Sequence, residues 1–212
     1  MLWQLIAALL LLAAQTPSRT FEGEPAGQPP AGFSFAAGRN ASAGRWTIQR
    51  DGGNQAVLHS GVAAEADGFS VAVYQQAKFE SADISVKVKA SGGSRACGLV
   101  WRYQDALNHY VVQLNLSRQE LAMYRVVRGN RIRIEREDDL ELDPGAWHTL
   151  RIVQDDESIR VYLGGIRVFG DRDRAVSGPG SVGLWASGDA DVSFDDFRAE
   201  ARPERRRETS GR

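Results

Sequence analysis

The stretch 97-CGLVWRYQDALNHYVVQLNL-116 decides the fold. Closed over Gln104-Asp105-Ala106-Leu107-Asn108-His109, it pairs Tyr103 with Tyr110, Trp101 with Val112, Leu99 with Leu114 and Cys97 with Leu116. One face of that hairpin is then apolar except for two tyrosine hydroxyls. The other carries Gly98, Val100, Arg102, Val111, Gln113 and Asn115. A slip by one residue would turn the whole apolar set to solvent, so the pattern holds the parity of both strands.

Working outward, the next strand is Glu120 to Val127. With Leu121, Met123 and Val127 inward, Ala122, Tyr124 and Val126 join the Gln113 face. A Gly129-Asn130 turn then leads into Arg131-Ile132-Arg133-Ile134-Glu135, with Arg133 and Glu135 beside Tyr124. The opposite parity would drive Arg131 and Arg133 into the core. Arg125 is the one inward residue without an apolar reason to be there.

The same period of two recurs elsewhere. Ile84, Val86 and Val88 alternate with polar residues, as do Ile159, Val161 and Leu163. Gly164-Gly165 sits between Val161-Tyr162-Leu163 and Ile166-Arg167-Val168 as a two-residue hairpin turn. A dozen or so short strands and no convincing helix predict an all-β fold, an antiparallel β-sandwich of jelly-roll type. The expected sandwich covers residues 33–200.

Arg102, Gln113, Asn115, Tyr124, Arg133 and Glu135 are therefore expected to share one sheet face. Sugars suit such a surface: amides and guanidinium groups hydrogen-bond hydroxyls, and an aromatic ring stacks on a pyranose. An ordinary solvated sheet face shows the same alternation.

The 212-residue chain has a formal net charge of −1, so no global basic field recruits nucleic acid. Leu2 to Ala14 is an apolar run too short to span a bilayer and fits a signal peptide over residues 1–15. An exported protein, periplasmic or extracellular, is expected, with no stable membrane span once the signal is removed. Residues 16–32 are rich in Pro and Gly and read as a linker. Residues 201–212, with three consecutive arginines, read as a disordered basic tail. The one cysteine, Cys97, lies in an apolar strand pattern, so no internal disulfide supports the fold.

Other chemistry is sparse. Glu137-Asp138-Asp139-Leu140-Glu141 has the alternating carboxylates of a retaining glycosidase strand, but it runs into the turn residues Asp143-Pro144-Gly145 and reads as an acidic loop. His59, His109 and His148 have no partner at zinc spacing, so neither a metal nor a cofactor is implied. Asp195 and Asp196 could give part of a calcium shell; turn hydrogen bonding is the more economical reading.

Four blocks, in order, resemble the concanavalin A-like jelly-roll family of 3-keto-disaccharide hydrolase domains, also labelled family 16 glycoside hydrolase-like. They are Gly44-Arg45-Trp46-Thr47-Ile48; Gly98 to Asp105 with Asn108-His109-Tyr110-Val111-Val112; Trp147-His148-Thr149-Leu150-Arg151; and Gly183-Leu184-Trp185 with Phe194-Asp195-Asp196-Phe197. The resemblance implies an exported jelly roll concerned with glycan binding or cleavage. It also implies that a C3 ketone could acidify a C2 proton, with Arg102 as oxyanion donor and Glu135 or His109 as base. Gln113 stands where similar sequences often carry Arg, and Gly188-Asp189-Ala190 replaces a more basic turn. The reading carried forward is a carbohydrate-binding sandwich. A hydrolase or lyase on 3-keto glycosides, or a non-catalytic structural or protein-interaction domain, are the alternatives.

Overall fold

The computed structural model describes residues 18–38, 42–61, 68–92 and 96–203. The expected signal peptide lies outside them, as does 204–212 of the expected tail. The described elements are all strands, and none is a helix that could cross a membrane. In chain order they are β1 (Ser18–Arg19), β2 (Phe33–Gly38), β3 (Arg45–Asp51), β4 (Asn54–Ser60), β5 (Phe69–Phe79), β6 (Ala82–Gly92), β7 (Ala96–Asp105) and β8 (Asn108–Asn115). There follow β9 (Glu120–Val127), β10 (Asn130–Glu137), β11 (His148–Asp155), β12 (Ser158–Leu163), β13 (Ile166–Arg172), β14 (Gly180–Ser187) and β15 (Asp191–Ala201).

They form two antiparallel sheets, the expected jelly-roll sandwich. One runs β13-β12-β11-β6-β15-β4-β3, with β1 added beside β15. The other runs β10-β9-β8-β7-β14-β5-β2. Alternate residues of the two sheets fill the space between them. Ile84, Val86, Val88, Leu150 and Ile152 come from one side, and Leu99, Trp101, Leu114, Leu121 and Met123 from the other. Each is almost wholly buried, which is worth about 1.5–3 kcal/mol per large apolar side chain. Cys97 is one of these core residues, and burial pushes its thiol pKa up.

The founding hairpin keeps its faces but not its register. Trp101 pairs with Tyr110, Leu99 with Val112 and Cys97 with Leu114, two residues away from the expected partners. A shift of two preserves parity, so the apolar set still faces inward. The cause is a bulge between Trp101 and Asp105, where Arg102 takes a left-handed φ of 43°. Past the bulge the alternation reverses, and Tyr103 packs against the outer cluster, not the core as the sequence suggested. Trp101 stays inside, its Nε1–H donating to Gln154 and its ring stacked on Tyr110 at 5.4 Å.

The β9–β10 turn lies one residue earlier than the glycine signature placed it. Arg128 and Gly129 are its central pair, with φ of 52° and 77°, and Val127 faces Asn130. This suits a turn needing two positive φ values. The Arg128 N–H donates to Asn108 Oδ1 and the Gly129 N–H to the Leu107 carbonyl, which tie the turn to the β7–β8 turn beside it. Gly164-Gly165 makes the expected turn, with Leu163 opposite Ile166.

Residues 18–32 are not a free linker. Phe21 is 2% exposed and joins the core beside Phe33. The Gln28 carbonyl accepts from the Ile48 N–H, and the Gly27 N–H donates to the Ile48 carbonyl, extending the β3 edge. Glu24 binds both Arg19 and the Ala31 N–H. One aromatic anchor and one carboxylate do here what no apolar period announced. At the other end, β15 runs to Ala201 and the Arg202 N–H donates to the Ser81 carbonyl, so the first two residues of the expected tail belong to the sandwich.

Candidate functional site

The outer face of the seven-stranded sheet carries a second apolar cluster. Val71, Val73, Ala96, Val100, Val111 and Trp185 are buried there, with Phe69, Tyr103 and Tyr124 packed against them. Sheet twist explains how an outer face becomes buried. It brings opposite ends of two non-neighbouring strands together: Phe69, at the start of β5, reaches His109, at the start of β8, across β14 and β7, with ring centroids 5.8 Å apart. The face is thus concave, and Phe69 roofs part of it. Gly38 permits this, because a Cβ there would lie 2.1 Å from the Phe69 ring. Beside this contact lies a cleft of about 260 Å³, walled by Gly38, Phe69, Leu107, Val126, Gly129 and Arg131 among others.

Arg131 is the polar centre of this cleft. It pairs in register with Val126, so its side chain rises from the concave face. Its guanidinium sits 3.7 Å from the Tyr124 ring centroid and 5.8 Å from that of Trp185, and it donates to Gln113 Oε1. Stacking on aromatic faces and forked hydrogen bonding hold a side chain that is otherwise mobile. Arg131 shares the parity of Arg133, the residue expected on this face, and pairs one step nearer the turn.

His109 was expected in the loop, but it is 1% exposed on this face, between the rings of Phe69 and Tyr103. Its Nδ1–H donates to the Asp105 carbonyl at 3.1 Å, which leaves Nε2 as the acceptor. Burial, chiefly, and the nearby Arg131 charge lower its pKa to about 4, so the ring is neutral at neutral pH.

Of the six residues expected to share the face, the structure brings three together: Gln113, Tyr124 and Arg133, the last opposite Tyr124 across the β9–β10 pair. The other three do not join them. The bulge turns Arg102 off the face, and its buried guanidinium donates to the carbonyls of Glu80, Val176 and Asp156. Asn115 keeps the face, since no bulge interrupts β8, but it is buried and spends its Oδ1 on the Ser117 and Arg118 N–H groups, capping the turn into β9. A second bulge, between Arg133 and Glu135, sets Glu135 against Met123 and brings Arg136 opposite Ala122. Glu135 therefore leaves the row of Tyr124 and Arg133. The roles of Arg102 as oxyanion donor and Glu135 as base go with these placements.

Arg125, unexplained by sequence, forms an ion pair with Asp173, which also accepts from Tyr110 Oη at 2.5 Å. Burial alone would raise the Asp173 pKa. The hydrogen bonds from Tyr110, the Ala175 N–H and Arg125 outweigh it and hold the group below the usual carboxylate range. This cluster and Arg102 staple the loops at one end of the sandwich. In the acidic segment, Leu140 and Leu142 pack on the core while Asp138 pairs with Arg136, so its carboxylates do not converge.

The matching of the whole sequence settles the family. Residues 34–200 match the 3-keto-alpha-glucoside-1,2-lyase-like domain. The chain belongs to that family. No curated protein matches the sequence of this lyase-like domain. Among solved structures it is similar to the carbohydrate-binding module CBM66 of Bacillus subtilis, with a TM-score of 0.60 and 19% identity over 78% of this chain and 94% of that one. It is also similar to the β-glucanase of Bacillus licheniformis, with a TM-score of 0.59 and 11% identity over 89% and 98% of the two chains. A Bacillus subtilis protein of unknown function with a galectin-like fold gives a TM-score of 0.59 at 11% identity over 82% and 90%. At these identities the likeness is one of fold, and the lyase-like domain shares the jelly roll with binding modules and glycosidases alike.

The opposite sheet of the lyase-like domain has its own charged hollow, beside Asp195, Asp196 and Trp147. Asp195 Oδ2 accepts from Asn54 at 2.8 Å, and Asp196 pairs with Lys87 at 2.7 Å. Hydrogen bonding and an ion pair occupy these carboxylates, and no group of three metal-ligating side chains occurs among the described residues.

Proposed function

We propose that this protein is an exported carbohydrate-binding sandwich that takes a sugar unit in the cleft of its concave face. The observation that carries this is Arg131, an exposed guanidinium held over Tyr124 at 3.7 Å beside Gln113, in the wall of a cleft whose other lining is apolar and includes the Phe69 ring. Binding sites are mostly apolar hollows with a few placed polar groups, which describes this one. Its volume of about 260 Å³ is below the roughly 300–1,000 Å³ of drug-sized pockets, so it suits one sugar residue and not a long chain. Membership of a lyase-like family and fold likeness to a carbohydrate-binding module support the substrate class. The apolar run Leu2 to Ala14 supports export; N-terminal sequencing of the secreted protein tests that part.

The binding test is a glycan array followed by calorimetry on wild type, Arg131→Ala and Tyr124→Ala. Wild-type binding that both variants lose, with the fold intact by circular dichroism, is the expected result. Absence of binding across the array would sink the proposal.

A second reading has one observation in its favour. His109 is neutral, presents Nε2 as a proton acceptor and lies close to Arg131. On a 3-keto glycoside, His109 would take the C2 proton while Arg131 steadies the enolate oxygen. Turnover of 3-keto glucosides that His109→Gln abolishes would establish it; no turnover by the wild type would remove it.

A further inference from the structure

We infer that the cleft selects an acidic saccharide, with a uronate carboxylate on Arg131 and its ring against Phe69. This rests on the sugar-binding reading above and narrows its substrate class. Arg131 is the one charged group among the described residues of the cleft wall; the others are alanine, glycine, leucine, valine and phenylalanine. A neutral sugar finds few side-chain partners for its hydroxyls in such a wall. A hexuronate has an apolar ring face for Phe69 and one planar anion that matches a guanidinium fork with two parallel hydrogen bonds.

Preorganisation points the same way. An exposed arginine usually loses much rotamer freedom on binding a ligand. Here Tyr124, Trp185 and Gln113 already restrain Arg131. The surroundings add positive charge: Arg133 lies on the same face opposite Tyr124, and Arg128 stands in the adjoining turn, both exposed. The field of Arg131 reaches the site's interior, since it helps to lower the His109 pKa after burial has done most of that work.

The test uses the full chain and a panel of uronate glycans, each beside its carboxyl-reduced counterpart, in which the acid has become a neutral hexose. Calorimetry at low and at physiological salt reads the affinities. The acidic member of at least one pair should bind about tenfold tighter than its reduced twin. Added salt should narrow the difference. Arg131→Gln should weaken the acidic member at least about tenfold more than the reduced one. Arg131→Lys, which keeps the charge and loses the fork, should fall between. Reduced members that bind as tightly as their acids, or a preference that survives Arg131→Gln, would overturn the inference and leave sugar binding standing. No binding of either kind would overturn the sugar-binding reading itself, and this inference with it.

Discussion

Arg102→Ala should destabilise the protein strongly without being a ligand-site mutation. The Arg102 side chain makes four hydrogen bonds to three carbonyls: two to Glu80, and one each to Val176 and Asp156. These carbonyls belong to the β5–β6 turn, the segment before β14 and the β11–β12 turn. The residue is only 5% exposed. A buried carbonyl that loses its donor costs about 1–3 kcal/mol, the lower figure applying where water can enter. The Asp156 carbonyl keeps a second donor, the Gln154 amide at 2.8 Å, so two carbonyls, those of Glu80 and Val176, lose theirs. At the low end they give about 2 kcal/mol. The backbone strain at φ 43° is the same for alanine, so it neither adds nor offsets. For a domain of this size, about 2 kcal/mol lowers the melting temperature by about 4–8 °C. Arg102→Lys should recover part of this, because an ammonium reaches fewer of the three acceptors than the fork does. Thermal denaturation followed by circular dichroism measures both. A melting temperature within about 2 °C of wild type for Arg102→Ala would refute the staple. Loss of glycan binding at unchanged stability would return Arg102 to the site the sequence assigned it.

Three more outcomes are expected. Burial lowers the pKa of both His59 and His109, the latter to about 4, so below pH 6.5 the unfolded chain binds more protons. Stability should be complete above pH 6.5 and fall on acidification toward pH 4, with His109 alone contributing about 3 kcal/mol; a flat melting profile between pH 7.5 and about 4.5 would contradict this. Phe21→Ala should cost about 3–5 kcal/mol in urea denaturation, and an unchanged midpoint would show residues 18–32 to be a linker after all. Gly38→Ala must displace the Phe69 ring, so sugar affinity should drop about tenfold while the melting temperature falls by less than about 4 °C; unchanged affinity would separate Phe69 from the site.

The faces of the sheets were legible because parity is a property of the residue pattern. Cys97, Leu99, Trp101, Tyr110, Val112 and Leu114 can be inward together in one way only, and they are. The pairing partners were not legible, since registers that differ by two residues bury the same side chains. Arg102 shows why the candidate site was only half readable. Nothing local in Trp101-Arg102-Tyr103 announces a bulge; the left-handed turn at Arg102 is stabilised by carbonyls of Glu80, Asp156 and Val176, distant in the chain. The same bulge carries Tyr103 to the outer cluster. Gln113, Tyr124 and Arg133 kept their expected face because no bulge intervenes between them and the hairpin core.

By itself, then, the order of apolar and polar residues determined the β-sandwich, the inner and outer sets of β7, β8 and β9, and the polar row that contains Gln113, Tyr124 and Arg133. The cleft was decided by tertiary structure. Phe69 and His109 stand forty residues apart and on non-neighbouring strands, and they meet because the twist of the sheet brings the ends of β5 and β8 together across β14 and β7. Strand twist accumulates over the whole sheet. No window of sequence contains it, so the residues that wall the cleft, Gly38, Phe69 and Arg131, carry no mark of their meeting.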